Sequence, residues 1–228
     1  MTATEYEIRN SAGMSGNVRE AAVNTQRSLI VSPEVRQWIK EGRVFSAIDG
    51  VLTTPATFTA ITLVRQTPNM MLRVPAGIVV VPLMVLVTPE ATGAAVWEML
   101  VSSCNNDPGT SNMVAASVGG GTVTNVNTRF AGVAPQALPY ITGTGATGTA
   151  PTGVADLYRE YQQVDHDAIT GAPTPPRLYC PRAGLGQEAA IGAVGAVNAF
   201  LAYYCNGTSS TGFGIMTWAE FTYDEFYG

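Results

Sequence analysis

Lysine is almost missing from this chain: one of 228 residues, Lys40, carries it, and charged residues of every kind make up only 13%. That is about half the roughly 25% usual for soluble proteins, which argues against a coiled coil, a long solvated helix and a disordered polyelectrolyte. Histidine is equally scarce, with His166 alone, so any His-dependent triad or metal site would have to pass through that residue. The three cysteines, Cys104, Cys180 and Cys205, contain no CxxC pair and are odd in number, which opposes both a disulfide framework and a zinc ribbon. No apolar run reaches the roughly 20 residues that span a bilayer. The longest, Ala76 to Val87 and Ile191 to Tyr204, are broken by Gly, Pro or Asn. The opening stretch MTATEYEIRNSAGMSGNVRE lacks a signal-peptide core, so synthesis in a cytoplasm is expected. Seventeen acidic residues against twelve basic ones give a net charge of −5, and this offers nucleic acid no overall attraction.

What the chain does hold is core-forming and turn-forming material, 46% hydrophobic residues with 24 Gly and 14 Pro, enough to bury one substantial domain. Residues 1–31 are polar and weakly periodic and read as an extended arm. Ser32-Pro33-Glu34 supplies a cap, an N1 proline and an acidic first turn for a short helix from Pro33 to Glu41, stopped at Gly42. Trp38 would pin that helix to the body. The expected division is an arm and helix over 1–43 and a domain over 44–228.

From Val44 onward the pattern is of strands separated by Pro, Gly, Asn and Asp clusters. Phe58 to Arg65 alternates, while Ile78 to Thr88 is nearly continuous and carries Pro82, which predicts an edge position or a bulge. Ala94 to Ser103 lies between turn-rich flanks and reads as a strand. The Gly- and Thr-rich middle, 107–151, is expected to hold short strands such as Thr122 to Arg129. Asp156 to Gln163 is the most charged stretch and is expected to be partly exposed. Beyond APTPP come Arg177 to Cys180, Ala189 to Asn206 and Gly212 to Tyr223, the last two expected to pair as a hairpin across NGTSSTG. In the second arm of that hairpin Phe213, Ile215, Thr217, Ala219 and Phe221 alternate with Gly214, Met216, Trp218, Glu220 and Thr222, so both faces should be covered. About eight strands without βαβ alternation predict an all-β sandwich.

The run Val74-Pro75-Ala76-Gly77 into Ile78 to Val87, the Pro89-Glu90-Ala91-Thr92-Gly93 turn and the strand with Trp97-Glu98 carry a resemblance. So do Phe200 to Cys205 and Gly212-Phe213-Gly214 through Trp218-Ala219-Glu220-Phe221. Together they resemble the single jelly-roll coat proteins of tailless icosahedral viruses over about two-thirds of the chain. The resemblance implies a jelly-roll β-sandwich with an N-terminal arm and one short helix. It further implies a structural capsid subunit, made in the host cytoplasm and assembled into a virion through arm, loops and strand edges. A trimeric jelly-roll binding module, a receptor- or carbohydrate-binding head, shares the same texture and is the alternative. The scarcity of charge agrees with self-assembly, because interface cores are depleted in charge. The arm departs from the strongly basic arms of many RNA-packaging coats, since residues 1–43 carry six basic and five acidic groups. Its expected partners are neighbouring copies, other virion proteins or an internal membrane, with no direct nucleic-acid binding.

Candidate chemistry is thin. Asp165-His166-Asp167 sits in a polar stretch, and adjacent residues on a strand point to opposite sides, which opposes joint chelation. There is no GxSxG elbow for a nucleophile and no lysine in GGGTVT for a phosphate loop. Glu98 and Glu220 lie in apolar strands and would be a glycosidase pair only if close together; the expected place for them is solvent or an interface. Trp97 and Trp218 could stack on sugars but are more often core or contact residues. Arg65, Arg73, Arg129, Arg177 and Arg182 are scattered singly, which suits interface salt bridges rather than nucleic-acid recognition. The chain is therefore expected to have no catalytic residue, cofactor or metal, and its working residues to be interface aromatics near arm, loops and tail: Trp38, Tyr140, Phe213, Tyr223, Phe226 and Tyr227.

Overall fold

The computed structural model describes residues 34–50, 55–58, 65–91, 95–111, 113–116, 123–142, 148–164, 177–206 and 210–228. The chain divides into two units, Met1–Gln37 and Trp38–Gly228. The expected arm, the 59–64 part of the alternating run, His166 with its flanking aspartates and most of the glycine runs lie outside the described residues.

The elements in order are helix α1 (Glu34–Lys40) and strands β1 (Val44–Asp49), β2 (Ala56–Phe58), β3 (Met70–Val74), β4 (Ile78–Ala91), β5 (Ala95–Cys104), β6 (Met113–Ala115), β7 (Val123–Asn125), β8 (Leu138–Thr142), β9 (Ala155–Val164), β10 (Arg177–Tyr179), β11 (Asn198–Asn206) and β12 (Ser210–Thr222), closed by helix α2 (Tyr223–Tyr227). They form an all-β sandwich of two six-stranded antiparallel sheets. One runs β10-β4-β12-β1-β7 with β2 also on β12, the other β6-β8-β3-β11-β5-β9. Four of the long-range pairings are nested: β1 with β12, β3 with β11, β4 with β10, β5 with β9.

The expected hairpin between the last two long strands does not form. Each is central in its sheet: β11 spends its two edges on β3 and β5, and β12 on β1 and β4. With both edges of each strand taken by other partners, neither has an edge left for its neighbour in sequence. The strand expected from Ala189 begins only at Asn198; before it Ile191 makes an isolated bridge to Val80. Thr122 to Arg129 contributes three strand residues and then a 3-10 turn at Thr128–Phe130.

Pro82 is accommodated by a bulge. The β4–β12 register shifts between Thr217 and Trp218, where Met84 and Pro82 are the successive partners. Helix α1 ends where expected because Gly42 takes a left-handed φ of 73° and has Phe130 against it, 2.7 Å from where a Cβ would stand. Asn125 Nδ2 donates to Gly42 O at 2.6 Å and Asn127 Nδ2 to Ile39 O at 2.9 Å, the latter carbonyl also accepting from Gly42 N.

The main core lies between the sheets. Phe45, Ala47, Val85, Val87, Met216 and Trp218 of the first sheet meet Leu72, Met99, Val101, Phe200 and Tyr204 of the second. A second apolar cluster, Met71, Leu100, Cys104, Ala199, Leu201 and Tyr203, occupies the outer face of the second sheet. Val154 packs against it, from a double loop laced by Asn105 N to Thr152 O, Thr149 N to Pro108 O and Asn106 Nδ2 to Ala150 O. Arg73 Nε donates to Asp107 Oδ2 at 2.9 Å and ties this loop to β3, and the guanidinium holds the Asp107 carboxyl below its ordinary value.

Candidate functional site

β12 assigns its side chains by alternation. Met216 and Trp218 point into the main core, so Phe213, Ile215, Thr217, Ala219 and Phe221 face outward. Toward the end of the strand this outer face is closed. Val44, Val79 and Ala219 are buried there, and Trp38 of α1 meets Phe221 edge-on with ring centroids 5.1 Å apart. Toward the start it is half open. The register lines up Leu178, Leu86, Ile215 and Ile48 across β10, β4, β12 and β1, with Met84 and Phe213 in the adjoining rows, all half-buried. Among the described residues these rows contain no charged side chain, an unusual composition for a solvent-facing sheet.

The second exposed group gathers where β12 gives way to α2. Thr222 caps the helix, its Oγ1 accepting from Glu225 N while Glu225 Oε2 accepts from Thr222 N. Arg43 forks onto Glu225 with both bonds 3.0 Å and lies over the Phe221 ring. That guanidinium, helped by the Thr222 donors, holds the Glu225 carboxyl down to about 2. The rings form a chain: Phe221 to Phe226, Phe226 to Tyr227 and Tyr227 to Tyr223, the last with centroids 4.7 Å apart. Tyr227 is 53% exposed and Val194 66% exposed. The two lie at one end of the sandwich, since Gly77 N donates to Ala193 O and Gly77 O accepts from Tyr223 N. Thr222→Ala is expected to cost about 1 kcal/mol, the ordinary loss of a cap, measured as a lower urea midpoint at unchanged slope.

The expected interface aromatics divide. Tyr223, Phe226 and Tyr227 are together and at least partly exposed. Phe213 sits half-buried in the open outer rows, close over Gly50. Tyr140 is half-buried against the second apolar cluster, at another part of the surface. Trp38 is only 9% exposed, with Arg182 over its ring at 5.0 Å.

Glu98 and Glu220 are not solvent-facing: they are 5% and 6% exposed. Glu98 lies on the outer side of β5 and accepts from Arg159 Nε at 2.9 Å. Glu220 faces inward from β12 and accepts from Gln136 N, Ala137 N and Trp218 Nε1 at 2.8, 3.1 and 2.7 Å. The second sheet stands between the two carboxylates, so they cannot flank one glycosidic bond. Burial pushes the Glu220 carboxyl up, and its three donors pull it partly back. Trp218 is wholly buried and has no face for a sugar; the Trp97 side chain lies outside the described residues. Three of the five arginines expected at interfaces have partners within the chain: Arg65 with Asp156, Arg73 with Asp107 and Arg182 with Trp38 and Glu188. Cys104 is buried and Cys180 half-buried, both as free thiols. Among the described residues no group of three His, Cys, Asp or Glu side chains could hold a metal, and no helix is long and apolar enough to cross a membrane.

No family model, no curated protein and no solved structure matches the chain.

Proposed function

We propose that this protein is structural: a jelly-roll coat subunit that associates with copies of itself into a virus shell, without catalysis. The observation that carries the reading is the uncharged outer lane Leu178–Leu86–Ile215–Ile48, together with the exposed Tyr227 and Val194 at one end. Repeated burial of such side chains contributes about 25 cal/mol per Å² of apolar area, from which association costs are subtracted. The nested strand pairing supports the jelly roll, since rolling up a long folded-back ribbon gives this order, with the first strand paired to the last. The scarcity of charge supports assembly in the same sense, because a chain that hides much of its outside needs little charged skin.

On this reading the partners are other copies of the chain, other virion proteins or an internal membrane. The place of the protein is the virion after synthesis in the host cytoplasm. The trimeric binding head has the same sandwich available to it, and particle mass separates the two. The testing experiment is Ile215→Glu, which puts a carboxylate into the middle of the lane. Sedimentation of the full chain is expected to show the large species lost, with the circular dichroism of the folded subunit kept. Unchanged assembly in that variant would remove the lane from the interface. Deleting residues 1–31 tests the arm in the same assay.

A further inference from the structure

Among the described residues four strands end the two sheets: β10 and β7 in the first, β6 and β9 in the second. An open edge is a template for pairing with another chain, and proteins ordinarily blunt it with charge, proline or cover. β9 carries Asp156, Arg159 and Glu160. β10 starts at Arg177, directly after Pro175-Pro176. β7 is covered, with Val123 and Asn125 both buried. β6 has none of these devices. Its residues are Met113, Val114 and Ala115, and no charged residue lies between Asp107 and Arg129. Val114 is 54% exposed, and Ala115 is exposed beside it.

The register fixes what this edge offers. Val114 stands opposite Ile141 of β8, and Ala116 N donates to Pro139 O at 2.9 Å. Hydrogen-bonded positions alternate along an antiparallel pair, so the backbone groups of Val114 turn to β8 and those of Met113 and Ala115 turn outward. Met113 N is engaged by Thr110 O at 3.1 Å. The Met113 carbonyl and the Ala115 N–H therefore face the edge, with no strand beyond them among the described residues. Met113 packs on the outer apolar cluster and Ala116 on the main core, so Val114 lies on the inner side, at the mouth of that core.

We propose that β6 pairs antiparallel with β6 of a second copy, joining two second sheets edge to edge across a two-fold axis through Val114. Such a contact is self-complementary. The Ala115 N–H of each copy donates to the Met113 carbonyl of the other, and the two Val114 side chains meet on the inner side. The charged edge of β9 fits less well against β6, because pairing would strip water from its charges. Two hydrogen bonds and one valine pair make a weak contact, suited to an assembly in which every copy repeats it. The inference rests on the self-association proposed above and names one of its contacts.

The test is Val114→Cys in the full chain under mild oxidation, read by non-reducing electrophoresis beside wild type and Val133→Cys, whose parent valine is similarly exposed. Opposite residues at a non-hydrogen-bonded position have Cα atoms about 4.5 Å apart, within disulfide range. Most of the Val114→Cys chain is expected as a linked dimer, with little in either control. Ala115→Pro removes the outward donor at a position where an edge strand tolerates proline. It is expected to keep the circular dichroism of the fold and to raise the concentration of half-association about tenfold. Particle mass reads self-association separately. Wild type that assembles while Val114→Cys stays unlinked, or links no better than Val133→Cys, would overturn the β6 pairing and leave self-association standing. Wild type that stays monomeric would overturn both.

Discussion

Trp218→Ala is expected to lower folding stability by about 3–5 kcal/mol, the usual range for emptying a large buried aromatic site. The side chain is wholly buried at the centre of β12, stacked near Phe45 with centroids 6.1 Å apart, and its indole N–H is spent on Glu220. With total stabilities of about 5–15 kcal/mol, that loss brings the subunit near the point of unfolding. The measurement is urea unfolding, and a loss under about 1 kcal/mol would mean the core repacks around the site. Trp218→Phe keeps most of the volume and should retain more than half of the stability that alanine loses.

Glu220 is the other large case, and the chemistry differs. Its carboxylate gathers the amides of Gln136 and Ala137, more than eighty residues earlier in the chain, and fastens that loop to β12. Glu220→Ala leaves buried N–H groups without acceptors, and the expected loss is about 3 kcal/mol. Glu220→Gln keeps an acceptor oxygen and removes a buried charge, so its expected change is within about 1 kcal/mol. Because burial raises the Glu220 carboxyl, wild type loses stability as pH rises through its folded value, and the glutamine variant should be relatively better at pH 8 than at pH 4. An alanine variant as stable as the glutamine one would show that water replaces the carboxylate freely.

The strands of the core were legible because their burial is written in alternation or in continuous apolar runs, as in Ile78 to Thr88 and Gly212 to Tyr223. Partner choice was not legible. The β11–β12 hairpin expected from proximity in sequence gives way to two mid-sheet strands, because periodicity reports which faces are covered and says nothing of which edge meets which. β9 was hidden by its charges, Asp156, Arg159 and Glu160. It is an edge strand paired on one side to β5, where charges hinder further pairing and do not oppose strand formation. α2 did have a signal: Thr222 followed three residues later by Glu225 is a capping box, overshadowed by the strand alternation running into it. The aromatic tail was readable as surface material, whereas Trp38, chosen by the same reasoning, is buried by Phe221 and Arg182 from distant segments. The buried state of Glu98 and Glu220 depends on donors from other elements, and neither local pattern nor composition carries that information.

The measurement that bears most directly on a structural, self-assembling role is light scattering on the size-exclusion eluate of the full chain across salt concentration, with electron microscopy of the largest fraction. The account predicts closed, uniform shells of many copies, persisting at high salt because the proposed contacts are apolar. A discrete trimer would favour the binding head, and a stable monomer at high concentration would contradict self-assembly altogether.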